Sequence, residues 1–426
     1  MENGEVWKDN KNGGNILTNM FSNFDAEFAQ IYCNPGTPNN TICKRYYQMT
    51  DKMVLNNIFK RKPLGKEFIL ETSVDKLEKQ VDQPNERFYS FFHKHRLNVF
   101  YTLKSIMWNL SRWKNDNLKN FLLNFNPDIV FAPCYGNTFM LKLTRFVSSS
   151  TNKAIISYIS DDSYSLKQFN FSPFYWINRF AVRRQLRKTF PYYPLVYTMT
   201  KIQKEQCEKV FHANTKILLK SVDVSSIKNK NSVNSPIKLI YAGGLYLNRW
   251  KTLASLVSAI NSVNLEQNKK VFELNIYTGS EITSRMCKKL ETDSSFIYSS
   301  ISLNDLQQIY SESDIALHVE SFSLKNRLAV RMSFSTKITD CLSSGCAVMA
   351  ICDSKQGGFD YLKKNDAAIC VSNKKDIKHV LISIMNDSNI VCEYAKKAKE
   401  CCANNHDSNI IHKEIVNDFV SLSGVK

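Results

Sequence analysis

Three short stretches in the second half of this 426-residue chain carry side chains that could hold a charged substrate. Ser335-Thr336-Lys337 stands where a helix should begin, and free N–H groups with the positive end of the helix dipole attract an anion there. Lys337 adds a full charge. Asp340 follows four residues after Thr336, so both lie on one helix face, and its carboxylate could accept the two hydroxyls of a ribose. Glu320 ends the apolar run DIALHVE (314–320) and points into the same crevice. Gly243-Gly244 closes another apolar run, IKLIYAGG (237–244), and is followed by Arg249 and Lys251. Glycine at a strand end lets backbone approach a phosphate, and the two cations could neutralise it. Tight packing alone would also select glycine at that place. A nucleoside diphosphate carrying a sugar would use all of these groups together.

The elements around these residues must place them at the ends of strands. In the second half, apolar runs at 237–244, 272–280, 295–300, 314–321, 347–353 and 367–372 alternate with helical periodicity at 250–263, 281–291, 303–313, 336–345 and 374–387. The first half alternates similarly, with strands expected at 127–136, 153–162, 193–200 and 215–223. Residues 66–125 read as polar and helical, and 15–24 as a helix after an Asn12-Gly13-Gly14 turn. No apolar strand is evident before Gly13. The segment VSSIKNKNSVNS (224–235) lacks periodicity and reads as a linker. The fold class expected is α/β, with two doubly wound Rossmann-like domains facing each other across a cleft. Ligands bind such sheets at the carboxyl ends of the strands, where the strand order reverses. The boundaries expected are 1–223 and 236–400, with 401–426 packing back toward the first domain.

Composition narrows the partners. Lys plus Arg is 57 and Asp plus Glu is 39, so the formal charge is +18. Such a surface suits nucleic acid, anionic lipid or a phosphorylated substrate. No DNA- or RNA-binding motif is found, so nucleic acid is not expected. Between Asp162 and Glu205 there is no acidic residue, but there are four Arg and four Lys. The stretch 171–190 mixes Phe171, Phe174, Tyr175, Trp176 and Phe180 with Arg179, Arg183, Arg184, Arg187 and Lys188. Such a helix could lie on an anionic membrane surface, or be a half-buried helix with a solvated basic face. The longest strongly apolar run is Cys346–Cys352, far short of the roughly 20 residues of a spanning helix, and the N-terminus has no signal-peptide pattern. A cytoplasmic protein, peripheral on the membrane at most, is expected. The 12 cysteines are scattered and read as buried thiols; Cys401-Cys402 with His406 and His412 match no zinc spacing.

The segment Ser335-Thr336-Lys337-Ile338-Thr339-Asp340-Cys341-Leu342-Ser343-Ser344-Gly345, with Glu320-Ser321-Phe322 before it, resembles the donor-site motif of GT-B glycosyltransferases of the broad family-4-like group, found in bacterial surface polysaccharide pathways. The resemblance implies a GT-B fold and transfer of a hexose-type sugar from a nucleotide sugar, UDP-linked by family habit, to a hydroxyl of a glycan or lipid-linked acceptor, with retention of configuration. It implies that Glu320 meets the donor sugar and Asp340 the ribose. The Ser335–Lys337 helix start, with Arg249 and Lys251, would meet the diphosphate. Gly13 and Gly14 resemble the family's N-terminal glycine loop beneath the donor phosphates. Asp161 and Asp162 fall where relatives carry a residue near the acceptor hydroxyl; a helix cap explains the same pair.

The family pattern is departed from twice. Asp340 stands where Glu is usual, and SLKNRLAVRM (323–332) lengthens the spacing from Glu320. Arg327 and Arg331 there could touch phosphate or sit in a solvated loop. The Asp-Asp pair is not the Asp-x-Asp of metal-dependent transferases, so no metal or other cofactor is expected. Two rivals share the donor site: a GT-B nucleotide-sugar epimerase, and a non-catalytic sugar-nucleotide-binding partner subunit.

Overall fold

The computed structural model describes residues 1–9, 12–70, 81–83 and 98–424. The chain forms two compact units. Unit 1 comprises Met1–Leu218 with His412–Lys426, and unit 2 is Leu219–Ile411.

Unit 2 holds a six-stranded parallel sheet. Its strands are β9 (Ile237–Ala242), β10 (Phe272–Thr278), β11 (Ser295–Ser299), β12 (Ile315–Val319), β13 (Ala347–Ile351) and β14 (Ile369–Val371). They lie in the order β11-β10-β9-β12-β13-β14, so the order reverses between β9 and β12. Chain order 3-2-1-4-5-6 is that of the doubly wound dinucleotide-binding sheet. β12 and β13 are buried at every residue, as a sheet covered on both faces requires. Leu239, Leu274, Leu317 and Met349 build the core layer with one stripe of the Arg249–Glu266 helix. That stripe is Leu253, Leu256, Val257 and Ile260, spaced i, i+3, i+4, i+7. Thr283 and Ser302 start the next helices by accepting the N–H groups of Met286 and Asp305.

The polar segment 224–235 is bonded into this unit. Lys230 pairs with the buried Asp314 at 2.8 Å, Asn234 bonds the same carboxylate, and Lys399 donates to the Ile227 carbonyl at 2.8 Å. The chain leaves unit 1 earlier, after Leu218.

Among its described residues, unit 1 carries two four-stranded sheets. β5 (Val130–Pro133), β6 (Ile155–Ile159), β7 (Leu195–Thr198) and β8 (Thr215–Ile217) are parallel and in chain order. The other sheet is β1 (Glu2–Asn3), β2 (Ala29–Tyr32), β3 (Arg45–Gln48) and β4 (Lys66–Ile69), with β4 antiparallel to β3. A strand therefore does precede Gly13, two residues long and parallel to β2. Asn12 to Gly14 is not a turn but the first residues of the Asn12–Phe21 helix. Of the stretch 66–125 expected to be helical, β4 is a strand, Asn98–Leu110 and Asp116–Phe125 are helices, and 71–80 and 84–97 lie outside the described residues. The chain's last helix, Ser408–Ser423, returns to unit 1 from His412 onward, while 401–406 stay in unit 2. Asp418 accepts the Tyr197 hydroxyl at 2.9 Å, and the Phe419 ring stands 5.7 Å from Phe21.

Candidate active site

The reversal in strand order brings the ends of β9 and β12 side by side, and three of the charged residues expected to bind a ligand, Glu320, Arg249 and Lys337, meet there. Glu320 follows β12 and is buried; its carbonyl accepts Thr252 Oγ1 at 2.9 Å. Arg249 opens the Arg249–Glu266 helix and clasps Glu320 with two bonds, Nε to Oε2 at 2.9 Å and Nη2 to Oε1 at 2.6 Å. The Tyr246 ring lies 4.6 Å from the guanidinium carbon. The remaining nitrogen, Nη1, is buried and meets no acceptor. The backbone reaches this helix through Leu247 and Asn248, both at positive φ (56° and 61°).

Lys337 enters the same crevice from the Thr336–Leu342 helix. Its ammonium rests on Gly243, so close that a Cβ there would lie 1.7 Å from Nζ. Nζ is buried with no hydrogen-bond partner and stands 5.4 Å from the centre of the Tyr241 ring. Burial first, and the neighbouring Arg249 charge second, push its pKa down to about 8. Gly244 is also closely packed: a Cβ would fall 2.3 Å from the Tyr246 ring, and its carbonyl accepts the Tyr241 hydroxyl at 2.8 Å. Two cations and one carboxylate thus share a largely buried crevice, leaving one positive charge uncompensated. Buried charge is costly unless it finds a partner.

The remaining expected residues of unit 2 divide. Ser335 caps the 336–342 helix by position only, making no side-chain cap bond, with Thr336 and Lys337 directly after it. Asp340 is half-buried and paired with Lys220 at 2.6 Å. Lys251 is not brought in. It sits two positions beyond Arg249, on another face of the helix, exposed, with its ammonium 5.6 Å from the Trp250 ring. The inserted stretch is not a solvated loop: Leu324–Ala329 is a short helix, and Arg327 is paired with Asp353.

His318 at this crevice, and the Gln356–Gly358 segment near it, were not singled out by sequence reasoning. His318, on β12, is buried, and burial pushes its pKa down to about 4, so the ring is neutral. Its Nε2 would stand 3.9 Å from a Cβ at Gly358. Gly357-Gly358 opens the Gly357–Lys364 helix after β13, and Gln356 before it is buried with Nε2 unpartnered. The signal was present in the sequence as a second Gly-Gly pair following a strand, the same pattern as Gly243-Gly244.

In unit 1, Gly13 belongs to the first turn of the Asn12–Phe21 helix. A Cβ at Gly14 would lie 2.0 Å from the Lys8 carbonyl oxygen, so backbone approach selects glycine there. Asp161 is exposed, whereas Asp162 is buried and saturated. Asp162 accepts Ser165 N (2.8 Å), Gln168 Nε2 (2.9 Å) and Arg179 Nη2 (2.8 Å), and also the Ser165 hydroxyl. That carboxylate ties the 165–168 segment to Arg179; it is not a helix cap, because the next helix begins only at Pro173, after Ser172.

The cysteine–histidine group expected to be non-metallic is spread over both units. His406, in unit 2, bonds the Lys220 carbonyl at 2.9 Å and the Tyr361 hydroxyl at 3.0 Å. His412, in unit 1, bonds the Asn19 carbonyl at 2.7 Å. Among the described residues no group of three or more His, Cys, Asp or Glu is placed to hold a metal ion, and no helix is long and apolar enough to cross a membrane.

No family model matches this sequence, and no curated protein matches it. Solved structures do. The Anabaena protein Alr3699/HepE, solved in complex with UDP, superposes with a TM-score of 0.62 at 10% identity, each chain covering 99% of the other. A trehalose-6-phosphate structure from E. coli bound with UDP-2-fluoro glucose gives 0.58 at 10% identity, covering 98% of this chain and 99% of that one. A point mutant of S. aureus TarM, in complex with fondaparinux, α-GlcNAc-glycerol and UDP, gives 0.51 at 13% identity over 71% of this chain and 58% of its own. The fold is therefore the mixed α/β GT-B fold of glycosyltransferases, over essentially the whole chain.

Proposed function

We propose that this chain is a glycosyltransferase of the family-4-like type, moving a hexose from a UDP-sugar to a hydroxyl of a glycan or lipid-linked acceptor with retention of configuration. The observation that carries the reading is the buried, unpartnered Lys337 ammonium on Gly243, beside the unpartnered Arg249 Nη1. Both lie at the strand-order reversal of a sheet whose relatives in fold were solved with UDP. A diphosphate would supply the missing negative charge and the missing acceptors.

The roles follow from the chemistry. Charge builds on the leaving diphosphate as the sugar departs, and preorganised cations there lower the barrier. Lys337 and Arg249 take that part. Glu320, held by Arg249, faces the sugar hydroxyls, and Asp340 the ribose once it exchanges Lys220 for the ligand. Neutral His318 stands beside Glu320 as a hydrogen-bonding group for the sugar. Because two side-chain cations neutralise the diphosphate, the reaction is proposed to need no metal, and transfer should persist in EDTA.

The chain is further proposed to work in the cytoplasm at an anionic membrane surface. Phe171, Phe174, Ile177 and Phe180 are exposed along the Pro173–Thr189 helix and its approach, and Arg184, Arg187 and Lys188 are exposed on its last turns. The function is tested by thermal shift with UDP, GDP, ADP and UDP-sugars, for the wild type and Asp340→Ala. A ligand at one hundred times its dissociation constant adds about 2.7 kcal/mol of stability. A shift with one nucleotide, reduced in Asp340→Ala, supports the reading. Release of free UDP together with a glycosylated product separates transfer from epimerisation and from mere binding.

A further inference from the structure

Unit 1 contains a cavity of about 200 Å³ that none of the donor-site residues enters. It opens at the carboxyl ends of β5 and β6, the end of a parallel sheet at which α/β proteins bind ligands. Gly136 and Asn137 follow β5, and Ser163 follows β6. The two loops approach so closely that a Cβ at Gly136 would lie 2.8 Å from Ser163 Cβ. The Phe139 ring, stacked on Trp108 at 4.3 Å, and Val182 give the cavity apolar wall, and Tyr175 gives it a half-buried aromatic side.

Two polar groups there lack the partners their positions would normally give them. Asn137 is the N-cap of the Thr138–Thr151 helix, yet its side chain makes no cap bond. Ser163 Oγ is buried and meets no hydrogen-bond partner. The cations at the cavity are, by contrast, already matched. Arg179 is paired with the buried Asp162 at 2.8 Å, and Lys104 with Asp51 at 2.8 Å. A wall of aromatic and apolar groups, with a few hydroxyl and amide groups and no uncompensated charge, fits a small neutral polyol better than a phosphate.

We propose that this cavity is a saccharide subsite that takes one neutral pyranose ring. Asn137 and Ser163 hydrogen-bond its hydroxyls, and Tyr175 covers its apolar C–H face. That the ring is the acceptor end of a glycan rests on the glycosyl-transfer reading; that the cavity binds a ring does not. Asp162 then has a positioning role: by holding Arg179 it fixes one wall of the cavity.

The test is calorimetric titration of the full chain with methyl glucoside, methyl N-acetylglucosaminide and inorganic phosphate, and separately with UDP. It is run on the wild type, on Ser163→Leu, which fills the cavity, and on Tyr175→Ala, which opens it. At least one glycoside should bind the wild type and weaken about tenfold or more in each variant, with UDP binding unchanged in both. Ser163 packs closely against Gly136, so the Tyr175→Ala arm stands if Ser163→Leu does not fold. Absence of glycoside binding to the wild type, or binding unaffected in the folded variants, overturns the assignment. So does phosphate binding that Ser163→Leu abolishes. Glycoside binding without any UDP binding would sink the transferase reading and leave the subsite standing. UDP binding without glycoside binding would do the reverse.

Discussion

Arg249 holds Glu320 by two hydrogen bonds, 2.9 and 2.6 Å, in a buried crevice, and keeps one nitrogen of its guanidinium unmatched. The pair fills the gap beyond the carboxyl ends of β9 and β12, which are themselves paired in the sheet. A structure that only needed to fill this gap could do so with apolar side chains. Replacing a buried ion pair by well-packed hydrophobic residues is often neutral or stabilising, whereas removing one partner is costly. Arg249→Ala or Glu320→Ala alone should each destabilise the chain by about 3–5 kcal/mol, read as a lower urea midpoint. The double substitution Arg249→Met with Glu320→Leu should recover most of that loss and none of the transfer activity. A double variant no more stable than the singles would mean that the pair is structural.

Gly243→Ala separates folding from ligand binding. The added Cβ would stand 1.7 Å from Lys337 Nζ, the free end of a flexible side chain, which can swing away at small cost to the fold. The melting temperature should stay within a few degrees, while affinity for UDP falls about tenfold or more, since hydrogen bonds to charged groups contribute about 1.5–3 kcal/mol. The measurement is a thermal melt beside a UDP titration. Unchanged UDP affinity would separate Lys337 from the ligand.

Lys337 also predicts a pH dependence. Its pKa of about 8 in the free protein should rise again when an anion binds, so binding takes up a proton. UDP affinity should therefore be flat near pH 7 and fall above pH 8, by at most about tenfold per pH unit. The same titration acts on stability with the opposite sense. The lysine's folded pKa is lowered from 10.5, so the charged form is the disfavoured one. Lys337→Met should thus be more stable than the wild type at pH 7, by on the order of 1–3 kcal/mol. An affinity independent of pH between 7 and 9.5 (roughly this window) would contradict the placement of the diphosphate.

How much of this is legible in the sequence depends on distance along the chain. The strands of unit 2 are readable because buried parallel strands are short apolar runs, and AVMAI (347–351) is buried at every position. Glu320, Gly243 and Lys337 are readable because strand ends and helix starts are local features. Lys220 is not, because its partner Asp340 lies 120 positions away. His318 is hidden inside an apolar run, where a histidine reads as core. Lys251 misleads because nearness in sequence to Arg249 is not nearness in space, and two helical positions turn a side chain away. The division of unit 1 into two sheets is hard to read because β1 has two residues, and β4 (KEFI) is mostly exposed.

Acid should weaken unit 2 through His318. The ring is buried neutral, with a pKa pushed from 6.5 down to about 4. Its contribution is complete above pH 6.5 and is lost as the pH falls toward 4, because the unfolded chain takes the proton first. The difference of 6.5 − 4 in pKa bounds the effect at about 3 kcal/mol. Urea midpoints measured across this window should fall more steeply for the wild type than for His318→Gln. Equal slopes would mean that other groups carry the acid sensitivity.

The most direct test is a calorimetric titration of the full chain with UDP and UDP-glucose, for the wild type and Lys337→Met at pH 7. The account predicts binding to the wild type and a loss of about tenfold or more in Lys337→Met, although that variant melts no lower. No binding of either nucleotide to a well-folded wild type, or equal binding to both proteins, would contradict it.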